Sequence, residues 1–158
     1  MKIISFKREF LDLLLSSRKQ LTSREKKEGK YVPKIGEQFA IYNELRTPII
    51  TKPIRKLTPA GVRRYQDQAA CCPLAGHYYA HLLGIVTLTN VYEITPSCYL
   101  PNDSGCNFLE RWARMDGFKS FSDANRWFTE TYDSDWIDRT YVVQQWEKWD
   151  EVYFYAED

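Results

Sequence analysis

The first part of the chain alternates between short apolar segments and charged ones. Ile3–Phe6 is apolar and typical of a short strand. The apolar residues between Phe10 and Leu15 recur at helical spacing, which predicts a helix that begins at Arg8 and ends near Ser16. Residues 19–24 alternate as an exposed strand would. The charged residues 25–34 predict a loop.

The middle of the chain contains one clear strand and a proline-rich stretch. Residues 38–42 predict a strand, whereas residues 44–60 carry three prolines and predict irregular structure. Residues 60–70 could form a short helix, with Pro59 near its first turn. Residues 82–94 are rich in β-branched side chains and predict either one long strand or two short ones.

Two helices and a final strand are predicted in the last third. The first helix covers Phe108–Met115 and stops at Asp116-Gly117, where glycine acts as a C-terminal cap. Ser122 or Asp123 then caps a second helix that runs to about Tyr132. Residues 141–155 alternate sufficiently for a closing strand.

This order of elements predicts a single α+β domain that spans residues 1–158. Strands outnumber helices, and the first and last strands are well placed to pair. We therefore expect a small closed or partly open β-barrel with helices packed at its ends. The 158 residues fit one domain, and no repeat or low-complexity linker divides them.

Charge is distributed unevenly along the chain. The formal net charge is +1, yet residues 1–64 hold 16 of the 22 Lys and Arg and 6 of the 21 acids. The fold could intermix the two halves and cancel the field, or it could leave a basic face suited to phosphate groups. Aromatic residues make up 15% of the chain; most of them should lie in the core, and any surplus could stack on bases.

The sequence predicts a cytoplasmic protein that does not cross a membrane. No apolar run approaches the ~20 residues that a bilayer requires. Charged residues interrupt the N-terminal segment where a signal peptide would be apolar. The four cysteines are therefore interpreted as reduced thiols.

The segment Ser17–Arg24 is the most informative for chemistry. Lys19 lies at the junction of the predicted helix and strand, while Thr22 and Arg24 share one face of that strand. A lysine, a hydroxyl and a guanidinium so close together could hold a phosphate or activate a nucleophile. Such clusters are also common on solvated surfaces, so both interpretations stay open at this point.

Several motifs together resemble the ASCH family. Ser17–Arg24 has the form small-x-Lys-x-x-Thr-x-Arg, Lys34 to Glu37 leads into a strand, and Tyr42 to Thr47 continues it. Later, Asp116 to Phe118 is similar to the family's acidic-Gly-hydrophobic turn, and Phe121 to Phe128 to the helix that follows. The matched stretches cover residues 3–47 and about 82–132, well over half the chain.

The resemblance implies a fold similar to the PUA domain, a small β-barrel with a cleft for a nucleobase or RNA. Some family members remove the acetyl group from N4-acetylcytidine with a lysine, a threonine and a glutamate. Carried over by position, these groups are Lys19, Thr22 and Asp116. Two departures are visible: Ser17 stands where glycine is frequent, and Asp116 is one methylene shorter than glutamate.

Further residues are expected to line the same cleft. Arg24, Tyr42 and Arg46 could hold phosphate or stack on a base. Alternatively, Tyr42 simply covers the barrel and Arg46 pairs with an acid such as Glu44. The resemblance implies no cofactor.

Residues 48–81 are longer than the family core needs and are interpreted as an insertion. Its Cys71-Cys72 and the His77-x-x-x-His81 spacing suggest a zinc site at first sight. Adjacent cysteines do not easily share one tetrahedral ion, so we favour buried thiols and loop histidines, and no metal. In the tail, Trp146 and Trp149 should place one ring in the core and one partly exposed, where a partner or a second copy in a homodimer could contact it.

Three functions follow from these observations. The first is an enzyme that hydrolyses an amide on a modified nucleoside through Lys19, Thr22 and Asp116. The second is an RNA-binding module that uses the same cleft and a basic N-terminal face without catalysis. The third is a protein-interaction domain with a vestigial cleft.

Overall fold

The computed structural model describes residues 2–48, 78–100 and 103–152. The strands in these ranges are β1 (Lys2–Phe6), β2 (Leu21–Glu25), β3 (Gln38–Pro48), β4 (Tyr78–Thr87), β5 (Asn90–Ile94), β6 (Tyr141–Gln145) and β7 (Trp149–Val152). The helices are α1 (Leu11–Leu15), α2 (Asp103–Met115) and α3 (Phe121–Thr131), with 3-10 turns at Arg8–Phe10, Pro96–Tyr99 and Ser134–Asp138. The α+β prediction is confirmed.

The strands form two sheets. One has the order β1-β3-β4-β7, with β1 parallel to β3 and the other pairs antiparallel. The other has the order β2-β6-β5 and is antiparallel throughout. The expected pairing of the first and last strands is wrong, because the long strands β3 and β4 lie between β1 and β7. A PUA-like barrel stays a prediction.

Backbone contacts divide the chain into two compact units. The first comprises residues 1–16, 36–87 and 148–158, and the second comprises residues 17–35 and 88–147. The predictions of one domain over residues 1–158 and of an insertion at 48–81 stay predictions. The helix expected at 60–70 lies outside the described residues. No helix within the described ranges is long and apolar enough to span a membrane.

The core of the first unit lies on its four-stranded sheet. Ile4, Phe39, Ile41 and Leu83 are buried, and runs of consecutive residues in the central strands β3 and β4 are buried, so both faces of these strands are covered. Strand β3 continues to Pro48, so the prediction of irregular structure from residue 44 is wrong for residues 44–48. Pro48 is the last described residue of this strand.

The core of the second unit lies between one face of its sheet and the helices α2 and α3. Leu21, Ile94 and Val143 share that face and join a cluster with Leu109, Trp112, Ala113, Ala124, Phe128, Trp136 and Tyr141. Phe128 stacks on Trp136 with ring centroids 4.6 Å apart. The Tyr141 hydroxyl donates to the Trp136 carbonyl at 2.9 Å. Many of the chain's aromatic side chains therefore form this core.

Three features differ from the predictions: the burial of β2, the cap of α3 and the number of strands in the tail. Strand β2 was expected to be exposed. It is half-buried, because its first two residues, Leu21 and Thr22, are buried. Helix α3 is capped by Ser120, whose hydroxyl accepts from the Asp123 backbone N–H at 3.1 Å. The predicted tail strand is two strands, β6 and β7. Trp146 is buried and Trp149 is partly exposed, as expected, while a homodimer stays a prediction.

Replacement of Gly84 by alanine tests the packing of β4 against β7. The new Cβ would lie 2.2 Å from the Glu151 carbonyl oxygen and 2.8 Å from the Trp149 ring, so backbone must shift. We expect Gly84→Ala to lower the free energy of unfolding by about 1–3 kcal/mol in urea titrations. Val152→Ala, at the exposed position opposite Gly84, should change it by at most about 0.5 kcal/mol. Equal stability of Gly84→Ala and the unaltered protein would contradict this packing.

Candidate active site

The C-terminal end of α2 fixes the position of Asp116. Gly117 has φ of +96°, and its N–H donates to the Arg114 carbonyl at 3.0 Å. The Phe118 N–H donates to the Ala113 carbonyl at 2.9 Å. This pair of bonds is a Schellman motif, which requires the left-handed conformation that glycine adopts without strain. Asp116 is therefore the last residue before the turn, with its backbone held on both sides.

The segment before β2 is bound to the same helix end. The Gln20 N–H donates to the Met115 carbonyl at 2.8 Å, and the Gln20 carbonyl accepts from the Trp146 N–H at 2.9 Å. Lys19 Nζ donates to the Asp116 carbonyl at 3.0 Å and also to its carboxylate oxygen Oδ1. The carbonyls of Met115 and Asp116, which have no partner within the helix, thus accept hydrogen bonds from the neighbouring residues Gln20 and Lys19.

Lys19 and Asp116 form a buried ion pair, with side chains that are each 4% exposed. Burial lowers the pKa of Lys19 and raises the pKa of Asp116, because both charged forms lose water. Mutual attraction and their hydrogen bond act against these shifts, and burial is the larger cause for both groups. The helix C-terminus favours the ammonium and disfavours the carboxylate. The pair can therefore exchange a proton more easily than an exposed pair.

Thr22 and Arg24 lie on the sheet face opposite the helices. Leu21 and Ser23 point toward α2, where the Ser23 hydroxyl accepts from Trp112 Nε1 at 3.0 Å. Alternation then places Thr22, which is buried, and Arg24, which is exposed, on the other face. The positive charge of Arg24 contributes to lowering the pKa of Lys19 and acts against the rise in the pKa of Asp116. Arg24 therefore links the face that carries Thr22 electrostatically to the buried pair.

Gln144 is a buried polar residue beside Thr22 that the sequence did not single out. It lies directly opposite Thr22 in the β2–β6 register and is 6% exposed. Its Oε1 atom is buried without a hydrogen-bond partner in the described part of the chain. The available signal was a glutamine that continues the apolar alternation of the closing strand after Val142.

A cavity of about 340 Å³ lies on the helical face of the same sheet, and Tyr92, Phe108 and Trp112 are among its lining residues. Burial, chiefly, raises the pKa of Tyr92, and the charge of Asp116 contributes. Asp116 thus acts electrostatically on groups of both faces, on Arg24 at one and on Tyr92 at the other. Lys19 itself precedes the first residue of β2, Leu21, by two positions.

The structure brings some of the predicted site residues together. Lys19 and Asp116 are in contact, and Thr22 and Arg24 belong to the same unit. Tyr42 is buried on β3 in the first unit. Arg46 is also on β3, and its side chain lies outside the described residues. The role of Tyr42 and Arg46 in a cleft stays a prediction.

The cysteines and histidines form no metal cluster within the described ranges. Cys71, Cys72 and His77 lie outside those ranges, and the backbone of His81 belongs to β4. Cys98 and Cys106 are exposed free thiols, and the expectation of buried thiols at Cys71 and Cys72 stays a prediction. The thiol of Cys106 donates to the Leu100 carbonyl at 3.6 Å.

Some bases of the first 64 residues pair with acids of the later part. Besides the Lys19–Asp116 pair, Lys26 contacts Glu93 at 2.7 Å. Both members of that second pair are almost half exposed, so it contributes little to stability. The two charge-rich segments are thus partly intermixed, and an extended basic face stays a prediction.

No family model and no curated protein matches this chain. Among solved structures, it is similar to a protein of the DUF984 family from Enterococcus faecalis V583, with 17% identity, a TM-score of 0.48, and 95% of this chain and 75% of that chain covered. It is also similar to a mutant of ZmASCH from Zymomonas mobilis, with 13% identity, a TM-score of 0.46, and 94% and 70% covered. One of the two is thus an ASCH protein, the family that the motifs resemble.

A double-mutant cycle tests the buried pair. Lys19→Met and Asp116→Leu should each lower the free energy of unfolding by about 3–5 kcal/mol, because each leaves one buried charge without its partner. The double variant should be close to the unaltered protein, because two apolar groups need no partner. Urea unfolding of the four proteins at neutral pH measures the coupling. Strictly additive losses would show that the two side chains do not interact.

Proposed function

We propose that this chain is an ASCH-type domain with a PUA-like barrel, and that it hydrolyses an amide on a modified nucleoside such as N4-acetylcytidine. The observation that carries the proposal is the buried contact between Lys19 and Asp116. A buried amine with a lowered pKa is a better base at neutral pH than an exposed lysine, and a carboxyl with a raised pKa is a better acid. Amide hydrolysis requires both in succession.

The shorter acid is compatible with this role. A displacement of about 1 Å in a catalytic group can cost roughly 100-fold in rate, so aspartate in place of glutamate would be expected to weaken the site. In this chain Lys19 is also bound to the main-chain carbonyl of Asp116. The amine is therefore drawn to the helix end, where a carboxylate one methylene shorter still reaches it.

The proposed steps use Thr22 as the nucleophile. The proton of the ion pair first moves from the Lys19 ammonium to the Asp116 carboxylate, which leaves a neutral amine. That amine takes the proton of the Thr22 hydroxyl while Oγ1 forms a bond to the acetyl carbon. Asp116 gives a proton to the departing N4 nitrogen as the carbon–nitrogen bond breaks, which releases cytidine. Asp116 then takes a proton from a water molecule as its oxygen bonds to the acetyl carbon of the acetyl-threonine. Lys19 returns its proton to Oγ1 as the ester bond breaks, and acetic acid leaves and ionises in bulk water. Arg24 provides a fixed positive charge on the same face, which favours the anionic oxygen that develops on the acetyl group.

The direct test is chromatographic detection of cytidine from N4-acetylcytidine. We expect turnover by the unaltered protein and at least a 100-fold loss in kcat/KM for Lys19→Ala and Thr22→Val, because each removes a group that moves a proton or forms a bond. Asp116→Glu serves as the matched variant, because it keeps the acid and should keep activity. Circular dichroism of each variant separates lost chemistry from lost folding. No turnover by folded, concentrated protein would exclude this substrate.

The pH dependence of kcat/KM should be bell-shaped. The active pair shares one proton. Activity falls at low pH when the pair gains a second proton, and at high pH when the pair loses its last proton. Burial raises the pKa of Asp116 and lowers the pKa of Lys19, so the acidic limb should lie above the range of an ordinary aspartate and the alkaline limb below that of an ordinary lysine. A rate that stays flat from about pH 4 to about pH 10, the ordinary values for aspartate and lysine, would contradict this assignment of the two limbs.

RNA binding without catalysis is the second candidate, and the positive charge of Arg24 on the face of Thr22 favours it. Phosphate contacts by basic side chains make affinity fall steeply with salt. Salt-dependent binding of single-stranded RNA by protein that shows no turnover would support this candidate over the enzyme.

A further inference from the structure

The side chain of Gln144 is buried with an unused hydrogen-bonding group. Gln144 lies in β6, the central strand of its sheet, so its backbone is paired with both neighbouring strands. Its side chain is on the face that carries Thr22, and Oε1 has no partner within the described residues. Buried polar groups are almost always satisfied in folded proteins, and an exception calls for a partner that comes from elsewhere.

The position of Gln144 indicates what that partner is. Directly opposite residues of antiparallel strands have Cβ atoms about 4.5–5.5 Å apart, so Thr22 and Gln144 can contact neighbouring atoms of one small group. A carbonyl carbon attacked by the Thr22 hydroxyl is bonded directly to the amide nitrogen. An acceptor beside the hydroxyl is thus suitably placed for the N–H of that same amide.

We infer that Gln144 is a substrate-binding residue whose Oε1 accepts a hydrogen bond from the N4–H of a cytosine-type base. This inference rests on the proposed function and deepens it, because it assigns the group that distinguishes cytosine from uracil. N4-acetylcytidine has one N4–H, and the product cytidine has an N4 amine. Uridine has an oxygen at the equivalent position, so the Gln144 amide would have to turn over to donate from Nε2, and Oε1 would again be left without a partner.

Neighbouring Gln145 provides a matched control. It has the same side chain on the same strand, and its alternation places it on the other face, where it lines the cavity beside Tyr92. Gln144→Met and Gln145→Met therefore make the same chemical change on opposite faces of β6. Methionine has a similar length and is apolar, so it removes the acceptor and leaves little empty volume.

The experiment measures the affinity of the full chain for cytidine and uridine by calorimetry, and KM for N4-acetylcytidine. We expect the unaltered protein and Gln145→Met to bind cytidine about tenfold more tightly than uridine, as one hydrogen bond provides. In Gln144→Met that preference should disappear and KM should rise about tenfold. The melting temperature of Gln144→Met should be equal or higher, because the buried Oε1 atom that this variant lacks has no hydrogen bond that would stabilise the fold.

Several outcomes would overturn the inference. If Gln144→Met keeps KM and the cytidine preference, Gln144 does not touch the base, and the proposed hydrolysis still stands. If Gln144→Met melts several degrees lower and binds normally, the amide is structural. If Gln145→Met is the variant that loses the preference, the base binds on the cavity face. If the unaltered protein neither hydrolyses N4-acetylcytidine nor binds either nucleoside, the proposed function fails and this inference fails with it.

Discussion

The buried contact of the Lys19 ammonium with Asp116 connects strand β2 to the end of helix α2. Placing two charges where water is largely excluded costs several kcal/mol for each ion, and only close pairing makes the arrangement tolerable. The surrounding structure provides that closeness. Gly117 turns the chain sharply enough to leave the Asp116 carbonyl accessible, and Gln20 holds the preceding segment against the Met115 carbonyl. The unit composed of residues 17–35 and 88–147 depends on this junction.

The sheet of that unit has two faces with different chemistry. On the helical face, Trp112 donates to Ser23 and stacks with Trp136, so strand and helix are held by aromatic packing and one side-chain bond. On the other face, Thr22 and Gln144 are buried polar groups beside each other. A face that only closed a core would carry apolar residues there, because unsatisfied polar groups cost stability. Buried polar residues that fold at a cost are typical of a binding or catalytic site.

Local signals along the chain predicted the parts of this arrangement that local physics determines. Gly117 after an apolar helix indicated where α2 ends, and the spacing of Lys19, Thr22 and Arg24 indicated the site segment. Contacts between distant residues were beyond such signals. Nothing in the spacing shows that β6 pairs with β2 and brings Gln144 opposite Thr22, since register depends on the packing of the whole sheet. The pairing expected of the first and last strands failed for the same reason, and the cap of α3 moved to Ser120 because several polar residues there could serve.

The most direct measurement of the central claim is the titration of the Lys19 side chain by NMR, followed through the 13C shift of its Cε atom and assigned by comparison with Lys19→Arg. The account predicts a pKa below the ordinary lysine value of about 10.4, and a still lower pKa in Asp116→Asn, because that variant keeps the burial and removes the attracting charge. A Lys19 that titrates near 10.4 in both proteins would contradict the account, since it would show an exposed amine that does not interact with Asp116.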